Sequence, residues 1–477
     1  MSSSRRRTSK PLIPWVFVGL ALATTTGCSL HRANLSPAPL KGGQAYPVGE
    51  APSPPVPPWW SNFESAGLDL LIRRALEENL DATASRERIN QSIAVYQQGR
   101  AGLFPTLEVE GDINDEVFAR GRARKDSQWS AGANARWVPD LFGRQSSIAK
   151  ARAADTWVRI YETENFRLAL SASVADVYFN IIEQRWLLTL LEEQRGTAKE
   201  LLHIIGQRYE EGLISNLDVL QQQSQVAELE SQIPVAKATL EDLQNALGAL
   251  LGATPGDPFV TTVGEGAQLP VIGPLARLER IDELLLRRPD LKASRASLVA
   301  ADAETGRALA DRLPKLTLTA EALYVEGRSP ATTVVSLGGG LVQPLLDWGL
   351  RRQEWVRTKA VYRERLATFS QDFLQAAWEM EALVRNESRQ RELLEALANR
   401  RIILESTIKQ ARSRYDAGLT DYLPVLSTTQ QLYSVEQRSI RENRRLTTLR
   451  ISLHRAMGGP VTRDPAQPAF AALVPKS

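Results

Sequence analysis

The 69 residues from Gly143 to Glu211 contain no proline, and this constrains the fold of the chain more than any other feature. If the whole run is helical, the helix is roughly 100 Å long. A helix of that length cannot fold back into a compact globule, so we expect it to pack lengthwise on others, as in a coiled coil or a helical tube. Apolar residues at helical spacing support this, both here and in the second half of the chain. These stripes are Val174, Val177, Tyr178, Ile181 and Ile182, and Leu393, Leu397, Leu404, Ile408 and Ala411.

The second half of the sequence repeats the first. Residues 208–213 (RYEEGL) recur 206 positions later as 414–419 (RYDAGL), and Pro105 recurs 209 positions later as Pro314. The offset changes between the prolines and the later matches, where loops carry length variation. The matches predict a duplicated unit with pseudo-two-fold symmetry, in which Gly252 and Gly458 close the two copies.

Each copy has the same predicted order: a helix of about 22 residues, two strands, a long helix, a tight turn and a second helix. The first helices are expected at residues 80–102 and 290–311. The predicted division is 1–27 signal peptide, 28–60 lipidated tether, 61–254 first repeat, 255–280 linker, 281–459 second repeat and 460–477 C-terminal tail.

Three of the four predicted strands alternate apolar and polar residues, which predicts two different faces. They lie near residues 107–113, 129–137 and 316–324, whereas the fourth, near 334–345, alternates poorly. Their lengths fit the about 9–11 residues that a tilted strand needs to cross a bilayer. Soluble hairpins packed on the helices would show the same period, so alternation alone leaves both interpretations open.

Four strands in a membrane cannot close a barrel, and unpaired backbone groups in lipid cost several kcal/mol each. Chains must therefore associate if the strands cross a bilayer. Two chains would supply eight strands, which side chains fill, and three would supply twelve, which leave an open lumen. A transport role thus favours three or more copies.

The N-terminus predicts export and lipidation. Residues 1–27 combine a basic start with a short apolar segment, which is typical of a signal peptide. Cys28 is the only cysteine and lies where a bacterial lipoprotein signal ends, and Ser29 after it favours the outer membrane. A proline-rich stretch at 47–58 predicts an extended tether, which Trp59 and Trp60 would dock on the folded body. Without the signal the chain has 54 basic and 55 acidic residues, which gives no argument for nucleic acid.

The sequence offers little support for an enzyme. Its three histidines, His31, His203 and His454, are isolated, and neither a Ser-His-Asp order nor a metal-ligand spacing accompanies them. Glycines 338–340 lack the Lys-Ser/Thr of a phosphate loop and fit a crowded strand better. We therefore expect no catalytic residues, no metal site and no cofactor.

The paired tryptophans, the prolines before the strands, the Phe-Gly and Trp-Gly pairs after them and the doubled RYxxGL turn together resemble the TolC-like outer-membrane efflux family. With the cysteine site, they resemble its OprM- and NodT-like lipoprotein branch. The resemblance implies a lipid-anchored homotrimer with a twelve-stranded barrel in the outer membrane and a long periplasmic tube of twelve helices. It also implies a periplasmic adaptor and an inner-membrane transporter, of RND type, as partners. Two alternatives are an adaptor-type scaffold lipoprotein, which should show one helical hairpin and β-rich flanks, and the export channel of a type I protein secretion system.

Site residues are expected at the two turns and on the strands. The turns are predicted to contact the adaptor through Arg208, Tyr209, Gly212, Leu213, Arg414, Tyr415, Gly418 and Leu419. The resemblance places a gate after the second turn, where the family has Leu, an acidic residue and Arg and this chain has Leu423, Ser427 and Gln430. Only the Leu is retained, so the nearby Asp416, Asp421 and Tyr422 are candidates to replace the acidic residue. Acidic residues on the polar strand face are predicted to line the lumen: Glu108, Glu110, Asp112 and Glu321.

Overall fold

The computed structural model describes residues 57–118, 124–274, 287–326 and 331–460. A short 3₁₀ helix at Trp59–Phe63 opens the described chain. The α-helices are α1 (Ala66–Glu78), α2 (Leu80–Ala101), α3 (Arg144–Glu210), α4 (Asn216–Leu251), α5 (Pro258–Thr261), α6 (Pro289–Ala310), α7 (Leu350–Asp416) and α8 (Leu423–Ala456). The strands are β1 (Thr106–Phe118), β2 (Arg124–Trp137), β3 (Lys315–Glu326) and β4 (Thr332–Val342).

Several helices begin where the sequence supplies a cap or a proline. The Asn79 side chain accepts the Ala82 amide at the start of α2, and the Ser215 hydroxyl accepts the Leu217 amide at the start of α4. Pro289 opens α6, a position that needs no backbone donor. The first helices of the two predicted copies, α2 and α6, have 22 residues each and begin and end within one residue of the expected bounds.

Two helices of equal length dominate the molecule. Both α3 and α7 have 67 residues, and α3 occupies all but the two end residues of the segment 143–211. The principal core lies beneath α3, where Val174, Phe179 and Ile181 pack with Trp59 and Ile72. Within the described ranges, none of the helices combines the length and the apolar character that crossing a membrane requires.

The four strands form one antiparallel sheet in the order β1-β2-β3-β4. The pairing of β2 with β3 joins the two halves of the sequence. The fourth strand starts earlier and stops earlier than its expected range of 334–345. Pro344 follows it closely and has no amide to continue the ladder.

Candidate functional site

One face of the sheet carries the predicted acidic residues. Glu108 pairs with Asn134, Asn134 with Glu321, and Glu321 with Ser336, so these four residues form one row across the sheet. Ser336 Oγ lies 3.4 Å from a Glu321 carboxylate oxygen. Because residues two apart on a strand share a face, Glu110 and Asp112 lie on this face too. The register thus brings all four predicted carboxylates to one side.

The other face of the sheet is apolar and exposed. Leu107 is 72% exposed, and Val109 and Ile113 are each 81% exposed. The poorly alternating strand β4 adds Leu337 and Leu341 to this face, each 68% exposed, since they pair with Ala320 and Leu316 of β3. A continuous apolar face of this kind on one side of a sheet indicates contact with lipid or protein.

Both edges of the sheet are open in the described chain. Strand β1 pairs only with β2, and β4 pairs only with β3. Each edge therefore presents a row of unpaired backbone amides and carbonyls, which favours pairing with another strand.

The two predicted turns have the same backbone geometry. Gly212 and Gly418 adopt φ values of 71° and 70°, in the left-handed region that favours glycine. In each turn the glycine amide donates to the tyrosine carbonyl three residues earlier at 2.9 Å. The leucine amide after it donates to the arginine carbonyl five residues earlier, also at 2.9 Å. These paired bonds satisfy the last carbonyls of α3 and α7 and reverse the chain.

The structure brings the two turns together. The Arg208 guanidinium donates to the Asp416 carboxylate at 2.9 Å and lies 5.7 Å from the centre of the Tyr415 ring. Tyr415 in turn lies 5.4 Å, ring to ring, from Tyr422. The other predicted contact residues, Tyr209, Leu213, Arg414 and Leu419, are exposed around this junction. The tip is therefore one surface built from both turns.

Tyr422 is placed differently from the other gate candidates, because it is only 1% exposed. Its hydroxyl donates to Gln222 Oε1 at 2.6 Å, and Gln222 Nε2 donates to the Ala198 carbonyl at 2.7 Å. Burial raises the pKa of Tyr422, so the phenol stays neutral. Tyr422 thus packs the second turn against α3 and α4, which leaves its side chain unable to line a passage.

The remaining gate candidates lie at the surface of the tip. Leu423 is 57% exposed, and Asp416 and Asp421 are exposed. Ser427 donates only to the Pro424 carbonyl of its own helix, whereas Gln430 donates to Gln225 of α4 at 2.7 Å.

Three arginines hold the described part of the predicted linker, residues 255–274, against the long helices, and the sequence shows no sign of these bonds. Arg185 donates to the Val263 and Thr261 carbonyls from α3, while Arg391 of α7 and Arg450 of α8 both donate to the Gly273 carbonyl. Glu387, only 3% exposed, accepts from Arg391 and Arg450. Burial alone would raise the pKa of Glu387, but the bonds from Arg450 and Arg391 hold it below its ordinary value. The acceptors on the linker are backbone carbonyls, which leave no side-chain pattern in the sequence.

Trp59 and Trp60 dock on the folded body, and each is 2% exposed. Trp59 Nε1 donates to Ser171 Oγ of α3 at 3.0 Å, and its ring stacks on His454 of α8 at 5.8 Å. Burial, with Arg450 nearby, lowers the pKa of His454 to about 4, although Glu387 opposes the shift. Cys28 and most of the expected tether lie outside the described residues.

Comparison with known proteins gives a consistent result. A family model described as outer membrane efflux protein matches residues 71–253 and 280–459. The pyoverdine export outer membrane protein OpmQ of Pseudomonas putida is 28% identical over 94% of this chain and 96% of its own length. The toluene efflux pump outer membrane protein TtgI of the same species is 28% identical over 92% of this chain and 97% of its own. The Campylobacter jejuni CmeC outer membrane channel has a similar fold, with a TM-score of 0.77 at 19% identity, over 93% of this chain and 98% of that one.

Proposed function

Because this chain belongs to the outer membrane efflux protein family, we propose that it works as a homotrimer whose strands form one barrel and whose long helices form one tube. It is the outer-membrane channel component of a tripartite efflux system. The observation that carries the trimer is the sheet, which has an apolar face, an acidic face and two open edges. Three sheets supply twelve strands, a number that closes around an open lumen.

The tube continues the barrel on its periplasmic side. Helices α3 and α7 begin shortly after the sheet ends and run about 100 Å before their turns. The tip built from Arg208, Asp416 and Tyr415 is therefore the part farthest from the membrane. We place the contact with a periplasmic adaptor there, and through the adaptor an inner-membrane transporter of RND type. An adaptor-type scaffold for the chain itself does not fit its family.

The cargo is a small molecule. The relatives are named for pyoverdine export and for toluene efflux, two different compounds. We propose that this channel likewise exports small organic compounds such as drugs or toxic solvents, and that its transporter makes the selection. Export of proteins, as in a type I secretion system, has no support among these names.

A lipid on Cys28 would hold the mature N-terminus at the outer membrane. Each buried CH₂ contributes about 0.8 kcal/mol, so several acyl chains anchor it firmly. Docked Trp59 and Trp60 would then tie the folded body to that anchor. Cells grown with labelled palmitate should label the wild-type chain but not Cys28→Ala. An unlabelled wild-type chain would remove the anchor from the proposal and leave the channel in place.

The acidic face lines the lumen and gives it a preference for cations. Glu108, Glu110, Asp112 and Glu321 share this face with two described basic residues, Arg136 and Lys315, which leaves each subunit with an excess of negative charge. Purified protein in a planar bilayer with a salt gradient tests both the pore and its charge. We expect open-channel steps and a reversal potential of cation sign. That potential should weaken when the four acids become amides and strengthen in Arg136→Gln. A reversal potential of anion sign in the wild type contradicts the lumen assignment, and the absence of any conductance contradicts the channel.

A further inference from the structure

We infer that the strand pairing between subunits repeats the pairing of β2 with β3 within one chain, and that it places Gly340 opposite Asp112 of the partner subunit. The inference rests on the proposed trimer and gives it a residue-level register. The β1–β2 and β3–β4 hairpins have the same pairing register. Thr106 pairs with Arg136, and the residues 209 and 206 positions later, Lys315 and Val342, also pair.

The same two offsets convert the β2–β3 pairing, here called the joint within a chain, into a pairing of β4 with β1 of the partner subunit, here called the joint between chains. Within the chain, β2 of the first half pairs with β3 of the second, and Asn134 lies opposite Glu321. Moving 206 positions forward from β2 reaches β4, where Asn134 corresponds to Gly340. Moving 209 positions back from β3 reaches β1, where Glu321 corresponds to Asp112. In the same way, Gly132 and Leu323, which pair within the chain, correspond to Gly338 and to Asn114, so Gly338 lies opposite Asn114 of the partner subunit.

Two further observations agree with this register. Pairs derived in this way join apolar face to apolar face, for example Leu341 with Gly111 of the partner subunit, whereas a slip of one residue would join apolar to acidic. The glycines agree as well. A Cβ added to Gly132 would lie 3.1 Å from Leu323 Cδ1, so this joint leaves little room for a larger residue, and the corresponding position in β4 is again a glycine, Gly338. Gly338 also has a reason within its own chain, since an added Cβ would lie 2.7 Å from Thr319 Oγ1.

The helix contacts agree with this register, because within the described chain α7 lacks one neighbour that α3 has. Helix α3 packs against both α2 of its own half and α6 of the other half. Helix α7 packs against α6, which is its own first helix, and the described chain offers no equivalent of the second contact beyond a few residues. The same operation that pairs the strands sets α7 against α2 of the partner subunit. Leu350, the first residue of α7, is 71% exposed and would enter this contact.

The register also distributes charge around the lumen. The joint within a chain carries Arg136 beside the acidic strand residues, whereas the described residues of β4 and β1 bring no basic side chain to the joint between chains. On the lumen face β4 contributes Ser336, Gly338 and Gly340, and none of its described residues there is charged. Glu110 and Asp112 of the partner subunit therefore face the lumen without neutralisation from the strand beside them. The three joints between subunits are the most negative stripes of the barrel.

Cysteine pairs in the full chain test the register. The matched variant is Asp112→Cys with Gly340→Cys, and the slipped controls combine Gly340→Cys with Glu110→Cys or with Asn114→Cys. No described atom lies within 4 Å of a Cβ built on Gly340, so the cysteine fits there. All these positions share the lumen face, and Gly340→Cys alone controls for cross-links through Cys28. Directly opposite residues have Cβ atoms about 5 Å apart and displaced ones about 7–8 Å, while a disulfide needs about 4 Å.

After mild oxidation of outer membranes, we expect covalent dimers and trimers on a non-reducing gel from the matched pair, at least about fivefold more than from either slipped pair. A slipped pair that cross-links best, or a trimer in which no pair cross-links, overturns the register and leaves the trimer standing. The native mass of the wild-type chain in detergent separates the two claims, because a monomer or dimer would overturn the proposed trimer together with the register.

Discussion

Helices α3 and α7 have the same length and the same turn at their far ends, yet the chain buries them very differently. Twenty-three residues of α3 are buried against ten of α7. Helix α3 contacts α1, α2, α4, α6 and α8, whereas α7 packs chiefly on α6 and α8. Equal helices in unequal surroundings indicate that part of the packing of α7 comes from outside the chain.

The exposed side chains of α7 support this conclusion. A helix that faces water along most of its length should expose mainly polar residues. Instead α7 exposes Leu350, Val356, Trp378, Ile402 and Ile403 by 71%, 48%, 64%, 60% and 64%. The difference between α3 and α7 thus indicates where a neighbouring subunit of the proposed trimer packs.

The two long helices end in turns of the same geometry, and substitutions in these turns should have the largest effect on export. Proline cannot adopt the positive φ of Gly212 or Gly418, so either substitution should disrupt its turn by about 3 kcal/mol or more. We expect Gly212→Pro and Gly418→Pro each to abolish export, measured as drug sensitivity of cells that depend on this channel, while native mass still reports a trimer.

Alanine at the same positions is the matched control. It strains the turn by only about 1 kcal/mol, so export should persist at a reduced level. Normal export by both proline variants would mean that the tips serve only as connectors.

The next prediction concerns the open side of α7. Leu350→Asp places a carboxylate in the first turn of a helix, which the helix dipole tolerates, so the subunit should fold. Burial of that charge between subunits should instead lower the trimer fraction by at least about tenfold. Native mass in detergent measures it, and Leu350→Met should remain trimeric. An undiminished trimer fraction in the aspartate variant would show that α7 stays exposed at Leu350, and it would contradict the inference that a neighbouring subunit covers this helix.

A smaller effect should distinguish the two tips. Leu423 and Leu217 correspond at the offset of 206 and are similarly exposed, at 57% and 60%. We propose that only the second tip forms the resting constriction, so Leu423→Ala should raise closed-state conductance a few-fold and Leu217→Ala should not. Tyr422→Phe loses the bond to Gln222, which costs about 1 kcal/mol of stability, but should leave the closed conductance unchanged. Equal leakage from both leucine variants would place the constriction elsewhere.

The sequence predicted the long elements well and their surroundings poorly. The Phe-Gly pair at 142–143 and the glycine turn at 208–213 placed both ends of α3 within one residue, because helix breakers and caps are local signals. The burial of Tyr422 was missed, since one residue before a helix gives no sign of the face it will present. The bonds from Arg391 and Arg450 to the linker were missed because their acceptors are carbonyls. Strand β4 looked irregular because of its three glycines, and only its pairing with β3 shows that it has two consistent faces.

The smallest predicted effect comes from one position at which the two halves differ chemically. His454 of α8 corresponds to Gly248 of α4 at the offset of 206, so only the second half carries a titratable ring against the docked Trp59. The folded chain lowers the pKa of His454 from its ordinary 6.5 to about 4.

Between those pH values the unfolded chain binds a proton that the folded chain does not. The stabilisation is therefore complete above pH 6.5 and is lost as the pH falls towards 4, with a limit of about 3 kcal/mol. Carboxylates titrate over part of this range, so His454→Phe, which keeps an aromatic ring against Trp59, is the reference. Thermal unfolding in detergent at pH 7.5 and 4.5 should show a larger drop in Tm for the wild type than for His454→Phe, by a few degrees. Identical drops in Tm would mean that the imidazole of His454 titrates normally and that the packing of Trp59 on His454 is insensitive to acid.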